Sequence, residues 1–439
     1  MSKKKYLATL HRSVNDWNKW RKNNLDIDLD FKGINLSSYT LMGVDFRGVD
    51  LSGANLIKTN FGSSNLDGAN LSFANLTEAN LSGASLTGAN LIGANLTRAN
   101  YRSAELCGSD LSLANLAYAD LRAIDFTAAQ LSQANFNRAN LNGAIFVGAK
   151  LIKANFELAS LLKADFTGAN LTMARLNQAD LTEACLNQAD LTEAALNAAD
   201  LTKTSLFKTD LTEAALNAAD FTQANLLKSD LTLADLSQAD LTQAALIQAD
   251  LTQANLTQAN LTQANLTQAN LTNARALTTN FDGSILTGAC IDKLQINHQT
   301  SFEEVICEYL YLKGNRQKRI PEDKDRDLTY DEFKFVWQNL LGSVDLIFKT
   351  DINWSAFLNS FENLQLQYKA QLIKIQSIEV LPQKRFLVRI NTFSDLNINA
   401  FKKHFWQKYN RSLVALSDNN KMTIGQNINN EEIKVYKQN

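Results

Sequence analysis

The chain has 439 residues, with 43 Lys and Arg against 45 Asp and Glu, for a formal net charge of −2. Hydrophobic residues make up 45% and aromatics 8%, a composition that folds. The near-neutral balance excludes a bulk nucleic-acid binder built on a basic domain, so no direct nucleic-acid binding is expected. The longest uncharged run, Leu251 to Ala274, is too rich in Thr, Gln and Asn to span a membrane. Nothing apolar follows the lysines of the opening MSKKKYLATLHR, so no secretory signal is read there. Four cysteines (Cys107, Cys185, Cys290, Cys307) are scattered without a CxxC pair, which points to a reducing, cytoplasmic setting with neither a disulfide frame nor a zinc site.

In chain order, residues 5–22 come first. Leu7, Leu10, Val14 and Trp17 fall at helical spacing and predict one basic amphipathic helix. It reads as a cap on the repeat array described next, whose open end would expose apolar core and strand edges. A membrane-surface helix is the alternative.

A repeat follows. From Phe31 to Ile296, the residues whose numbers end in 1 or 6 occupy 54 positions, and 53 of them are Leu, Phe, Tyr or Ile, Ala276 being the exception. Call each large residue i. A small residue, usually Ala, stands at i−2, as at Ala54, Ala69, Ala94, Ala154 and Ala254. Five residues on an α-helix advance by about 500°, which scatters the leucines around the axis. On a straight strand five is odd, so they would alternate faces. One corner per repeat keeps every i and i−2 on the same side, which predicts a solenoid with a narrow interior. Glycine supports the corner: 14 of the 18 glycines fall at i+2, where unusual φ is tolerated. Between Ala169 and Asp282 no glycine occurs, so the corner accepts glycine without requiring it. At the start the i−2 residues are large (Leu29, Ile34, Tyr39, Val44, Val49), which predicts wider or irregular first coils. Ala276 and Leu294 break the size rule near the end and predict fraying there.

Ala69-Asn70-Leu71-Ser72-Phe73, Ala179-Asp180-Leu181-Thr182-Glu183 and the tandem Leu-Thr-Gln-Ala-Asn units of Leu251 to Asn270 resemble the pentapeptide-repeat family, consensus A(D/N)LXX. The resemblance implies a mainly β fold, a right-handed quadrilateral β-helix with four repeats per coil. Fifty-four centres then make about 13 coils, or roughly 60–65 Å at the ~4.8 Å spacing of paired strands. Trp17-Asn18-Lys19-Trp20-Arg21 resembles the leader of many cyanobacterial members.

After Ile296 the beat stops. Ser301–Lys313 reads as a helix, Gly314–Asp327 as a charged linker, and Thr329–Phe348 and Trp354–Tyr368 as two amphipathic helices. Leu372–Val380 and Phe386–Asn391 read as strands around a turn at Pro382, and Asp395–Ser417 as a final helix. The expected organisation is therefore an N-terminal helical cap over 1–30, a β-helix over 31–296 and a small α+β domain over 297–439. Val305 to Leu312, Val344 to Phe348 and Asp351 to Trp354 are similar to a C-terminal module of cyanobacterial pentapeptide-repeat proteins that carries no assigned activity.

No catalytic, cofactor-binding or metal-binding motif stands out, and His11, His298 and His404 are isolated. Cys107 and Cys185 lie too far apart to pair, and Cys290 and Cys307 could meet, although buried free thiols are the commoner outcome. Charge is more informative. Residues 31–175 hold 11 basic and 10 acidic side chains, while residues 176–275 hold 4 basic and 12 acidic, a net −8. Asp recurs at i−1 every tenth residue: Asp180, Asp190, Asp200, Asp210, Asp220, Asp230, Asp240 and Asp250. On a four-sided coil these form two ladders of four carboxylates on opposite faces, a candidate partner surface.

Two functions follow. One is a non-enzymatic protein-interaction scaffold, a rigid rod presenting flat polar faces and a C-terminal module to protein partners. The other, implied by the resemblance, is an acidic DNA mimic engaging DNA gyrase or another DNA-handling enzyme. Both ends read as capped, so a monomer is expected, with the dimerisation through solenoid ends common in the family as the alternative.

Overall fold

The five-residue beat becomes a coil of four repeats. A computed structural model describes residues 3–297, 299–340, 343–349, 351–368, 373–381, 385–391 and 398–418. The chain divides into two compact units, the first being Met1–Arg275, Thr279–Asp292 and Phe302–Asp327. Within it, residue i−1 of each repeat bridges in parallel to the residue 20 further on, from Asp30↔Asp50 through to Asn270↔Cys290. Four pentapeptides therefore close one turn, and backbone bonds tie each turn to the next, as in Leu71 N–H to Asn90 O at 2.7 Å and Asn75 N–H to Ala54 O at 2.9 Å. Each side chain at i, and nearly every one at i−2, points inward and is buried.

Phenylalanine organises the middle of this interior. Phe146 stacks on Phe126 and on Phe166 at 5.0 and 4.6 Å, one coil apart, and Phe136 stacks on Phe156 at 4.7 Å in a second column. The columns meet edge to face at 5.8–6.0 Å. The corner residue i+2 adopts positive φ whether or not it is glycine: Gly168 at 63°, Glu183 at 56°, Lys203 at 57°. A left-handed conformation costs an L-residue about 1–2 kcal/mol. It persists because the corner N–H is then aimed at the next coil, as in Glu183 N–H to Thr202 O at 2.9 Å.

Residues 5–22 form two helices rather than one, α1 (Lys3–Arg12) and α2 (Val14–Lys22). Ser13 separates them: it is extended (φ −170°) and its hydroxyl accepts from Asp16 N–H at 3.1 Å, capping α2. The first coil has no coil before it, and α2 supplies what is missing. Trp17 Nε1 donates to Asp45 O at 2.8 Å, Asn18 bonds both Gly43 O and Asp45 N–H, and Arg21 donates to Arg47 O. The fully buried Trp17 ring lies against Phe31 and Phe46. The first coils keep the 20-residue register despite their bulky i−2 residues, so the irregularity expected there is absent. Leu29, Val44 and Val49 are buried, while Tyr39 turns outward against the His11 ring.

The coil also outlasts the beat. Instead of the helix expected over 301–313, Ile306 and Tyr311 bridge to Ile285 and Cys290, now 21 residues apart. One inserted residue lets the pairing continue, and parallel pairing overrides the helical spacing of the apolar residues. Strands β1 (Leu310–Lys313) and β2 (Gln317–Ile320) then pair antiparallel, so the charged segment expected to be a linker holds a strand. Around Ala276 and Leu294 the fraying expected from the size rule is absent: Ala276, Leu294 and Ile296 are buried, and the corners at Thr278 and Lys293 keep positive φ (59° and 53°). There Thr300 Oγ1 donates to Ala276 O at 2.8 Å and Thr278 N–H to Asn297 Oδ1 at 2.9 Å.

The second unit contains α3 (Tyr330–Leu340), β3 (Ser343–Phe348), α4 (Trp354–Gln367), β4 (Lys374–Leu381), β5 (Arg385–Asn391) and α5 (Ile398–Asp418). The sheet order is β3-β5-β4, all antiparallel. Val344, Leu346 and Phe348 of β3 and Val388 and Ile390 of β5 face a core closed by Phe357, Phe361 and Leu364 of α4 and Phe401 and Phe405 of α5. On the other face Arg389 pairs with Asp345 at 2.8 Å and Glu379 at 3.5 Å. The single helix expected over 329–348 is thus a helix followed by a strand, whose period-two burial in Val344, Leu346 and Phe348 decides it. Pro382 and Asp395–Asn397 lie outside the described residues.

Candidate interaction faces

A coil of 20 residues sorts every outward side chain into rows, one residue per coil. The eight aspartates fall in two of them. Asp180, Asp200, Asp220 and Asp240 bridge successively and end on Asn260, while Asp190, Asp210, Asp230 and Asp250 do the same and end on Asn270. The two rows are half a coil apart and lie on opposite sides.

Each of these carboxylates also has a local task. Its Oδ1 accepts the backbone N–H two residues on, as in Thr182 N–H to Asp180 at 3.0 Å and Thr252 N–H to Asp250 at 2.9 Å. The threonine hydroxyl often adds a second bond, at 2.7 Å from Thr182 and 2.5 Å from Thr252. Asn serves the corner equally, and its amide can also donate to the coil before: Asn260 Nδ2 reaches Asp240 at 3.3 Å and Asn270 Nδ2 reaches Asp250 at 3.2 Å. Asp stacked on Asp has no such donor, so these rows keep free lone pairs facing solvent. At Asp190 burial works to raise the pKa, but bonds from Thr192 and the Thr172 hydroxyl outweigh it and hold the carboxyl below its ordinary value.

The row that carries Asp180 to Asp240 changes character upstream, where it continues as Ser160, Asn140, Asp120 and Asn100. Beside these lie the exposed Arg98, Arg102, Arg122 and Arg138 and the exposed Tyr118. Arg98 sits over the Tyr118 ring at 5.9 Å, and Arg122 pairs with Asp120 at 2.7 Å. Sequence reading modulo five could not find this patch, because its members share a face only when positions are read modulo 20. The same count reveals the half-buried row Phe207, Leu227 and Ile247, with Lys208 over the Phe207 ring at 5.3 Å.

In the second unit a cleft of about 590 Å³ is lined by Ile347, Phe348, Asn353, Trp406, Tyr409 and Leu413 among others. Tyr409 OH accepts the Asn353 N–H at 3.0 Å, which fixes the start of α4. The cysteines are free; Cys290 and Cys307 do not pair. Burial pushes the Cys307 thiol up to about 12, which makes it a poor nucleophile. His404 Nδ1 lies 2.7 Å from Tyr368 OH, His11 packs on Tyr39, and His298 lies outside the described residues. Among the described residues no cluster of His, Cys, Asp or Glu is arranged to hold a metal, and no helix is long and apolar enough to cross a membrane.

A parallel coil of four pentads, with i and i−2 inside and an Asp or Asn holding each corner, defines a β-solenoid repeat protein. The family model for pentapeptide repeats, described as eight copies, matches overlapping segments from residue 30 to residue 288. The chain belongs to the pentapeptide repeat family, whose members fold as right-handed β-helices and are generally structural or interaction proteins. Among solved structures it is similar to HetL, a pentapeptide repeat protein involved in heterocyst differentiation regulation in the cyanobacterium Nostoc sp. strain PCC 7120 (31% identity, 59% of this chain and 93% of that one, TM-score 0.21). It is also similar to QnrB1, a plasmid-mediated fluoroquinolone resistance protein (17%, 46% and 91%, 0.27). A third is a pentapeptide repeat protein of the Arabidopsis thaliana thylakoid lumen (36%, 23% and 66%, 0.14). No curated protein matches the chain.

Proposed function

We propose that this is a non-enzymatic cytoplasmic scaffold with three parts: a helical cap over 1–30, a rod that starts at 31 and whose coil runs on through Tyr311, and an α+β module from Leu328 onward. One observation carries the reading. Corner carboxylates and amides are held by bonds to their own turns, so the outward rows are presented at fixed spacing with little side-chain freedom left to lose on binding. Free thiols at all four cysteines are in keeping with a reducing compartment. Partners are proteins that dock on rod faces, on the module, or on both. A salt-graded pull-down with the full chain as bait tests this. Retention of one partner set by full-length protein, lost on substituting either a rod row or Trp406 in the module cleft, is the expected result. Loss of no partner with either change refutes it.

The second reading is the acidic mimic, favoured by the two aspartate rows. Two rows with a charge every ~4.8 Å give one charge per ~2.4 Å of axis, against one per ~1.7 Å in duplex DNA. Capture of a DNA-handling enzyme that elutes with salt, and is lost when Asp180 to Asp250 become Asn, would replace the scaffold by the mimic.

A further inference from the structure

We infer that one face of the rod, running from Asn100 to Asp240, pairs with the same face of a second copy of this chain in antiparallel orientation. The face is a single ladder of bridged residues: Asn100, Asp120, Asn140, Ser160, Asp180, Asp200, Asp220, Asp240. Its two ends carry opposite charge. Arg98, Arg102, Arg122 and Arg138 at one end, less Asp120, leave +3, and the four aspartates at the other give −4.

The geometry is self-complementary. The arginine patch centres on the Asp120 row and the aspartate ladder on residue 210, so they lie 90 residues, or four and a half coils, apart. At ~4.8 Å per coil that is about 22 Å. A two-fold axis standing on the face midway, between the Ser160 and Asp180 rows, places each patch over the other copy's ladder. An isologous contact of this kind satisfies both ends at once and closes at two copies. Asn140, Asn142, Ser160 and Leu162 lie on one side of the axis, and Asp180 borders it on the other, facing the Ser160 row of the second copy. Row spacing matches by construction, because both copies repeat at the same coil height. Parallel pairing in register would set arginine against arginine and aspartate against aspartate.

The face is narrow, about 34 Å by one coil side, so the contact belongs with small, transient and salt-sensitive interfaces. It leaves the opposite ladder of Asp190 to Asp250 uncovered. The proposal goes beyond the scaffold reading and stands or falls apart from it. It also replaces the monomer expected from covered ends, since ends say nothing about faces.

Sedimentation equilibrium of the full chain tests it, in about 0.1 M and about 1 M salt, where the screening length falls from ~10 to ~3 Å. The expected result is a dimer in the first condition and a monomer in the second. Changing the four arginines to Glu, or Asp180, Asp200, Asp220 and Asp240 to Lys, should each weaken dimerisation more than about tenfold. Mixing the two variants should restore a dimer, because each copy then offers the other an opposite charge at both ends. Lys150 already occupies an i−1 position, so the substitution has a precedent in this chain. If the Lys variant loses its β circular dichroism, the four Asp→Asn changes, which keep the corner bonds, replace it and should also abolish the dimer. A wild-type monomer at low salt overturns the proposal, as do folded variants that still dimerise or a mixture that does not re-pair. Capture of a labelled oligonucleotide by the arginine patch of a monomeric chain overturns it too.

Discussion

Replacing Tyr101 by Phe should stabilise the rod, although it removes a polar atom and adds nothing. Tyr101 occupies an i position, its side chain is fully buried, and its hydroxyl finds no hydrogen-bond partner. Burial alone holds its pKa well above the ordinary tyrosine value. The surrounding ladder shows the consequence. Tyr101 N–H reaches Asp120 O at 3.2 Å and Leu106 N–H reaches Asp125 O at 3.2 Å. On the same side of other coils, Phe61 and Phe221 make the matching bond at 2.7 and 2.6 Å. An aromatic ring at this position does not by itself lengthen the bond, so the extra oxygen is the difference that the substitution tests. A buried hydroxyl without a partner costs about 1–3 kcal/mol, and each ladder bond regained adds roughly 0.5–1.5 kcal/mol. Tyr101→Phe should thus gain about 1–3 kcal/mol locally, and more if the coil closes. Repeat arrays need not unfold in one step, so the assay is hydrogen exchange by mass spectrometry over peptides spanning 98–126, beside urea unfolding of the whole chain. Wild-type protein should exchange faster there than in coils 61–90, and the variant should close the gap. Unchanged exchange together with unchanged or lower stability would refute the reasoning and imply that the hydroxyl is satisfied.

Four further outcomes are expected. Trp17→Ala should cost about 3–5 kcal/mol and raise exchange at Asp45 first, since α2 replaces the missing coil; exchange rising elsewhere instead would contradict that role. Gly93→Ala should cost more than the about 1–2 kcal/mol of a left-handed L-residue, because φ is +64° and a Cβ would also lie 2.7 Å from the Phe73 ring. Gly53→Ala, at the same corner of another coil with nothing within 4 Å, should cost less, and equal urea midpoints would argue against the ring contact. At Asp190, Asp45 and Asp120 the native pKa lies below the ordinary value: burial opposes this at Asp190 and Asp45 but is outweighed by bonds, while the bond from Arg122 leads at Asp120. Their stabilisation is present above the unfolded carboxylate pKa of ~3.9 and is lost as pH falls through the native values; Asp190→Asn should flatten stability-versus-pH curves below that point. Cys307 should resist iodoacetamide at pH ~8 in folded protein and react once unfolded, because its thiol stays protonated up to about 12.

Much of the rod is legible in the sequence because its signal repeats. Period five with a small residue at i−2 gives one corner per pentad, and the inward burial of both positions agrees with it. The number of pentads per coil is not in that period; resemblance implies it, and the Asp30↔Asp50 bridge shows it. The arginine patch escapes for the same reason, since Arg98, Tyr118 and Arg138 become neighbours only at a separation of 20. Outside the repeat, local patterns mislead. Residues 301–313 carry helical spacing, yet strand partners stand ready at Ile285 and Cys290. Ser13 splits a helix whose apolar spacing runs straight through it. In Ser343–Phe348 the alternation that marks a strand is short enough to pass for the tail of the preceding helix.

The 20-residue coil has a consequence for how such a chain can change. Loss or gain of a single pentad would leave every core contact type and every corner intact, so the fold survives. All downstream side chains would nevertheless turn by one side, and the aspartates after it would look in a new direction relative to the arginines before it. A ten-residue duplication carries them to the far side, and only a change of four pentads restores the original alignment. Copying errors in the repeat therefore act on this protein as rotations of its surface, free to re-aim one half against the other without disturbing the interior.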